Sequence, residues 1–231
     1  GRGGTTASAP TTDIVIAHCG HPVEWLGRIG CPRGARIHVY SKCGGGGGGE
    51  YGDGNRTAEA AAAARSPPPS LPECAAWNII PNRGREAEAY YSHIIRTFDS
   101  LADLTVFLQD DESELFISPS ELLTYLHGGW RRHSSGNGTA AGSDERTVVG
   151  YASLSGSVRT AWATKWFDPS HPSQSSTAAS RGWMEKYLPK LSRRLENDSK
   201  GTRWMTGWRA NFAASRERIR RRPLEMYEEG L

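Results

Sequence analysis

The run Asp13-Ile14-Val15-Ile16-Ala17-His18, with the forty residues around it, most constrains what this chain can fold into. A short apolar run that is β-branched in the middle reads as a buried strand. His21-Pro22-Val23-Glu24-Trp25-Leu26 predicts a turn and a short helix, with Pro near the first turn. Arg36-Ile37-His38-Val39-Tyr40 then alternates polar and apolar, the pattern of a second strand. Strand, helix, strand is the opening of a parallel sheet, because parallel neighbours need a crossover and a helix supplies it. The reading is an α/β fold with a mostly parallel central sheet flanked by helices.

The length of 231 residues fits one large domain better than two. Residues 1–11 are small and polar and read as a disordered lead-in to a single domain over 12–231. Residues 44–70 hold Gly44 to Gly49, Ala60 to Ala64 and Pro67 to Pro69. No packed core can be built from them, so they read as a flexible insertion. Order resumes at Trp77-Asn78-Ile79-Ile80. Arg85 to Phe98 follows as a helix whose wide apolar face holds Tyr90, Tyr91, Ile94 and Ile95. Leu104-Thr105-Val106-Phe107-Leu108 is the clearest strand. Ser118-Pro119 starts a helix with an N-cap Ser and Pro at the first helical position. Residues 134–145 and 168–180 read as loops, Thr147 to Leu154 as an edge strand, and Met184 to Leu195 as a helix. In the tail, Ser215 reads as an N-cap of a helix that stops near Pro223.

Composition narrows the function. The net charge of +3 is too small to imply a nucleic-acid partner, and the five arginines between Arg216 and Arg222 are diluted by Glu217, Glu225, Glu228 and Glu229. No stretch approaches the roughly 20 apolar residues of a membrane helix. The chain begins Gly1-Arg2 without Met, which reads as a fragment or a processed form. Four cysteines, Cys19, Cys31, Cys43 and Cys74, form no CxxC pair. They are free buried thiols or one or two disulfides, and a domain of this size, which needs no staples, favours thiols. Sequons at Asn55, Asn137 and Asn197 permit a secretory location without establishing one. His18, His21, His38, His93 and His127 show no metal-ligand spacing.

Two constellations carry chemistry. Asp110-Asp111-Glu112 directly follows the strand Leu104–Leu108, and ligands of open α/β sheets lie outside the carboxyl ends of strands. Clustered carboxylates there suit Mg²⁺ or Mn²⁺ bridging to phosphates, as in the Asp-x-Asp element of nucleotide-sugar transferases. The alternative is an acidic turn capping the strand or the next helix. Asn82-Arg83-Gly84-Arg85-Glu86 is an Asn–Gly turn at the start of a helix. Its backbone N–H groups offer an anion seat, and Arg85 adds a planar fork. The alternative is a helix cap with a local Arg–Glu pair.

Four blocks together resemble the family called domain of unknown function 3431. They are Asp13–His18 with Glu24-Trp25-Leu26; Ile80-Pro81-Asn82-Arg83-Gly84-Arg85-Glu86-Ala87 with Tyr90, His93 and Ile94; Leu101 to Gln109; and Phe212 to Ile219 with Arg222-Pro223 and Tyr227. That family's pattern is similar to GT-A type glycosyltransferases, with an opening βα unit, a strand ending in acids and a late Phe-x-x-Ser-Arg segment. Where the family usually reads Phe-Leu-Gln-Gly-Asp, this chain has Phe107-Leu108-Gln109-Asp110-Asp111, with one carboxylate more. The resemblance implies a glycosyltransferase-like enzyme that takes a nucleotide-sugar and a carbohydrate or protein acceptor. Asp110 and Asp111 would hold Mn²⁺ or Mg²⁺. Asn82, Arg85, Gln109 and Arg216 would bind the donor, and Glu86 would be the base. A removed N-terminal anchor would then place the chain in the Golgi lumen. The competing reading is a non-catalytic carbohydrate-binding or interaction domain on the same sheet.

Overall fold

The structure is a computed structural model. It describes residues 11–19, 21–42, 66–81, 85–115, 118, 121–122, 151–154, 158–162, 177–196, 203–207 and 210–231. The strands are β1 (Thr12–His18), β2 (Ala35–Ser41), β3 (Ala75–Ile79), β4 (Leu104–Gln109), β5 (Tyr151–Ser153), β6 (Val158–Trp162), β7 (Arg203–Gly207) and β8 (Phe212–Ser215). The helices are α1 (Leu26–Ile29), α2 (Arg85–Thr97), α3 (Thr177–Tyr187), α4 (Pro189–Glu196), α5 (Arg216–Arg220) and α6 (Leu224–Glu228).

Six strands form one sheet in the order β3-β2-β1-β4-β8-β5, and β6 pairs with β7 separately. The β1–β2, β1–β4 and β2–β3 pairs are parallel, while β8 runs against both β4 and β5. The sheet is therefore mostly parallel, with one reversed strand near its edge. All seven residues of β1 are buried, as a central strand covered on both faces requires. Ile14, Ile16, Ile37, Val39 and Val106 pack under α1 with Val23, Trp25, Leu26 and Leu122. Val15, Ala17, Tyr40 and Phe107 pack on the opposite face under α2, α5 and α6. The alternation along β1 sends successive side chains to the two layers.

The described elements amend several readings. The first helix begins at Leu26, not near Pro22, after a turn in which Leu26 N–H donates to the Val23 carbonyl. It closes on Gly30, whose φ of 62° suits a residue without Cβ. The tail of the supposed insertion is packed: the Ser70 carbonyl lies against Gly27, and Leu71 joins the core. Residues 43–65, which hold most of that insertion, lie outside the described residues, as does the loop at 134–145. Thr11 belongs to the fold, since its backbone N–H donates to Asp103 Oδ2 at 2.8 Å. Of the loop over 168–180, residues 177–180 are helical instead, in keeping with the helix-forming pair Ala178-Ala179. The helix expected over Met184–Leu195 is two helices broken at Leu188, because Pro189 cannot donate to the turn before it. Ser118 and Glu121 cap each other reciprocally, and Ser215 Oγ accepts from Arg218 N–H, as both sequence patterns predict.

The preference for free thiols is overturned. Cys31 and Cys74 form a disulfide with Cα atoms 5.8 Å apart, Cys19 is also disulfide-bonded, and no described cysteine is free. The bridge ties the loop after α1 to the residue preceding β3, and so fastens an edge strand that little else covers.

Candidate functional site at the carboxyl edge of the sheet

The chain leaves β1 for β2 on one side, and β4 joins β1 on the other. Between the carboxyl ends of β1 and β4 lies the switch point where ligands of such sheets collect. Asp110 fills that crevice. Its carboxylate is 7% exposed and accepts from the backbone N–H of Cys19 at 2.7 Å and of His21 at 3.1 Å, with His21 Nδ1 at 3.3 Å. The Trp25 indole N–H donates to the Asp110 carbonyl at 3.0 Å. Asp110 thus satisfies these backbone N–H groups and pins the β1–α1 loop to β4.

Asp111 turns elsewhere. It accepts from Ser113 N–H at 3.0 Å and Ser113 Oγ–H at 2.7 Å, capping the 3-10 turn Glu112–Glu114. Arg28 pairs with Glu112 beside it. The two aspartates face different partners, and among the described residues no three His, Cys, Asp or Glu side chains gather as metal ligands. This donor set does not fit a divalent-metal chelate.

A second group lies one strand position back. Glu86, in the first turn of α2, accepts from Gln109 Nε2 at 2.7 Å, and Gln109 N–H donates to Asn211 Oδ1 at 2.7 Å. Asn211 sits beside β4 because β8 runs antiparallel and begins where β4 ends. Gln109 Oε1 and the Tyr90 hydroxyl are buried and have no hydrogen-bond partner among the described residues. Burial, followed by the charges of Glu86 and Asp110, pushes the Tyr90 phenol well above its ordinary pKa. It stays a neutral donor.

Glu86 also lines a cavity of about 930 Å³ on the β4–β8 face. Phe107 and Phe212 form its floor with rings 4.8 Å apart, and Tyr90 and Tyr91 of α2 form one wall. Arg218, Arg221 and Arg222 stand on its lining at the α5–α6 end. Sequence reasoning placed these arginines on a helix whose charge neighbouring glutamates dilute, and gave them no site role. Their only signal was position, directly after a capped turn that returns the chain to the sheet.

The remaining expected site residues divide. Arg85 opens α2, while Asn82 and the side chain of Arg85 lie outside the described residues. Arg216 is at the opposite edge of the sheet. Its Nε donates to the Leu101 carbonyl at 2.7 Å, and its Nη2 meets Asp103 Oδ1 at 3.0 Å. Asp103 precedes β4 and Asp110 follows it, so six strand residues, about 20 Å, separate the two ends. Arg216 fastens the amino edge and does not share a ligand with Asp110.

A separate polar cluster lies under α2 near the amino end of β1. The Asp13 carboxylate is fully buried and takes a two-pronged bond from Arg36, with Nε at 2.7 Å and Nη2 at 3.0 Å. His93 Nε2 and His38 Nε2 stand off at 3.4 and 3.5 Å, too far for good hydrogen bonds, and His93 Nδ1 meets Tyr40 Oη at 3.1 Å. Burial would raise the Asp13 pKa, but these donors, Arg36 at the shortest range, outweigh it and hold the carboxyl well below the usual range. Burial lowers the pKa of His93 despite its acidic neighbour. Asp13 and His93 are closed to solvent while Arg36 reaches it, and the cluster ties β1 and β2 to α2. At the carboxyl ends of β1 and β2, His18 Nδ1 lies 3.0 Å from Ser41 Oγ, with the Trp77 ring 5.1 Å from the imidazole.

These features define an α/β domain with a mostly parallel sheet, helices on both faces, linked polar side chains at its carboxyl edge and a cavity on the β4–β8 face. No family model matches the chain, and no curated protein or solved structure matches it either.

Proposed function

We propose that the chain is a glycosyltransferase-like enzyme, of the domain of unknown function 3431 kind, acting at the carboxyl edge with a nucleotide-sugar donor. The observation that carries this is Glu86. One carboxylate is held by Gln109 at the strand end and at the same time lines a large cavity. That is where a base meets an acceptor hydroxyl. In the step, the acceptor O–H gives its proton to Glu86. Its oxygen bonds to the anomeric carbon while the bond from that carbon to the diphosphate oxygen breaks, and the electron pair leaves on the diphosphate. The charge that develops there falls to the first turn of α2, with Arg85 and Asn82 as donors. Asp110 and Asp111 take no part in the step, since each is held by local donors. The Cys31–Cys74 bridge supports folding in an oxidising compartment, as a secreted or luminal protein does.

Titration calorimetry with UDP- and GDP-sugars, each with and without Mn²⁺, tests the reading. Binding of one donor is expected, with Glu86→Gln keeping that binding and losing donor turnover by 10²-fold or more, on the order of what a general base contributes. Absence of binding to every donor would overturn it. The second reading, a carbohydrate-binding domain without chemistry, is favoured by the engagement of both aspartates in local structure. It predicts binding to oligosaccharides and none to nucleotides.

A further inference from the structure

We propose that the cavity beside Glu86 takes the acceptor, and that this acceptor is an amphipathic anion: an apolar body carrying a phosphate or carboxylate head. The acceptor role rests on the transfer reading above; the chemistry of the ligand rests on the cavity alone.

The volume of about 930 Å³ lies at the upper end of the range typical of small-molecule sites and well beyond a packing defect. Its floor and near wall are Phe107, Phe212, Tyr90, Tyr91 and Ile94, which offer apolar and aromatic surface. The charge on its lining is lopsided, with three guanidinium groups at the α5–α6 end against the single carboxylate of Glu86. Neighbouring arginines are engaged elsewhere: Arg220 donates to the Phe98 and Asp99 carbonyls, and Arg216 pairs with Asp103. Arg222 donates to the Tyr187 carbonyl at 3.3 Å. Arg218 and Arg221 form no side-chain hydrogen bond or ion pair among the described residues. They are exposed and free to meet an acid. Tyr90 adds its ring to the apolar wall of the cavity, while its hydroxyl is sealed away and takes no part in binding. A molecule with a hydroxyl at the Glu86 end, an apolar middle and an acid at the arginine end satisfies all three regions.

The test uses the full chain and four probes below their critical micelle concentrations: dodecyl phosphate, laurate, dodecanol and inorganic phosphate. Calorimetry should show one site for dodecyl phosphate or laurate, at least tenfold tighter than for dodecanol or phosphate alone. The order of the two acids tells a phosphate head from a carboxylate. The double substitution Arg218→Gln, Arg221→Gln should weaken the acid at least tenfold and leave dodecanol unchanged. Ala87→Trp, exposed on α2 and facing the cavity, should weaken both. Equal binding of dodecanol and dodecyl phosphate would overturn the acidic head. Wild-type binding by Ala87→Trp would overturn the cavity. Amphiphile binding without donor binding would uphold the ligand chemistry and remove the transfer reading, so the two failures are distinct.

Discussion

Tyr90 is held by its ring, between Phe107 at 5.0 Å and Phe212 at 5.8 Å, and not by its hydroxyl. Tyr90→Phe keeps those ring contacts and removes an unpartnered polar atom, so it should stabilise the ligand-free chain by about 1 kcal/mol. A raised urea midpoint with an unchanged slope checks this. Asp13 is the opposite case. Its charge is buried but its closest partner, Arg36, is 56% exposed, so replacing Asp13 strands no buried charge and costs charge-assisted hydrogen bonds of about 1.5–3 kcal/mol. Asp13→Asn should lower the urea midpoint at pH 7 accordingly. The pH dependence has a definite sign. A carboxyl held below its unfolded pKa contributes fully above about pH 4 and loses that contribution as pH falls further. His93, held below its ordinary 6.5, is kept neutral by the fold, so protonation favours unfolding as pH drops below about 6.5. Acid should therefore erode stability in two stages, and Asp13→Asn should lack the lower one. The histidines were read singly in the sequence and set aside. Nothing in the spacing of Asp13, His38 and His93 shows that β1, β2 and α2 bring them to one place.

At the scale of elements, the β1–α1 loop depends on a residue ninety positions away. Asp110→Asn keeps the shape but replaces the charged acceptor of two backbone N–H groups, and bonds to charged groups contribute about 1.5–3 kcal/mol each. A loss of about 2 kcal/mol in denaturant unfolding is expected, with no change in any metal response. The disulfide offers a second check. Closing a loop with a sequence separation of 43 contributes about 4 kcal/mol in the chain-entropy account. Cys31→Ser with Cys74→Ser should lower stability by that amount, measured against the oxidised chain. Elements with a strong local signal were legible: β1 and β4 from apolar runs, β2 from its alternation, α2 from its period, and the Ser118 and Ser215 caps from side-chain chemistry. Phe212-Ala213-Ala214-Ser215 was not legible as a strand, because alanine has little β-propensity and only β4 and β5 beside it make it one.

For the whole molecule, the α/β class followed from the opening βαβ unit, since a parallel pair leaves few arrangements. The location of the site was half legible. Strand ends of open sheets attract ligands, and that rule led to Asp110 and Asp111, while Glu86 entered through the turn that opens α2 and Gln109 through the family resemblance. The role of Asp110 did not follow, because a carboxylate at a strand end can equally meet a metal or the backbone of the next loop. The cavity was hidden for the same reason as β8: it exists only once the tail has returned beside β4.

That return has a temporal side. Among the described residues β5 touches the sheet through β8 alone, and β8 starts only at Phe212. A nascent chain halted before that point would leave β4 with a bare hydrogen-bonding flank and β5 with nothing to join. β8 is thus a late wedge, and a ribosome must release the chain through Ser215 before the cavity that it walls can exist.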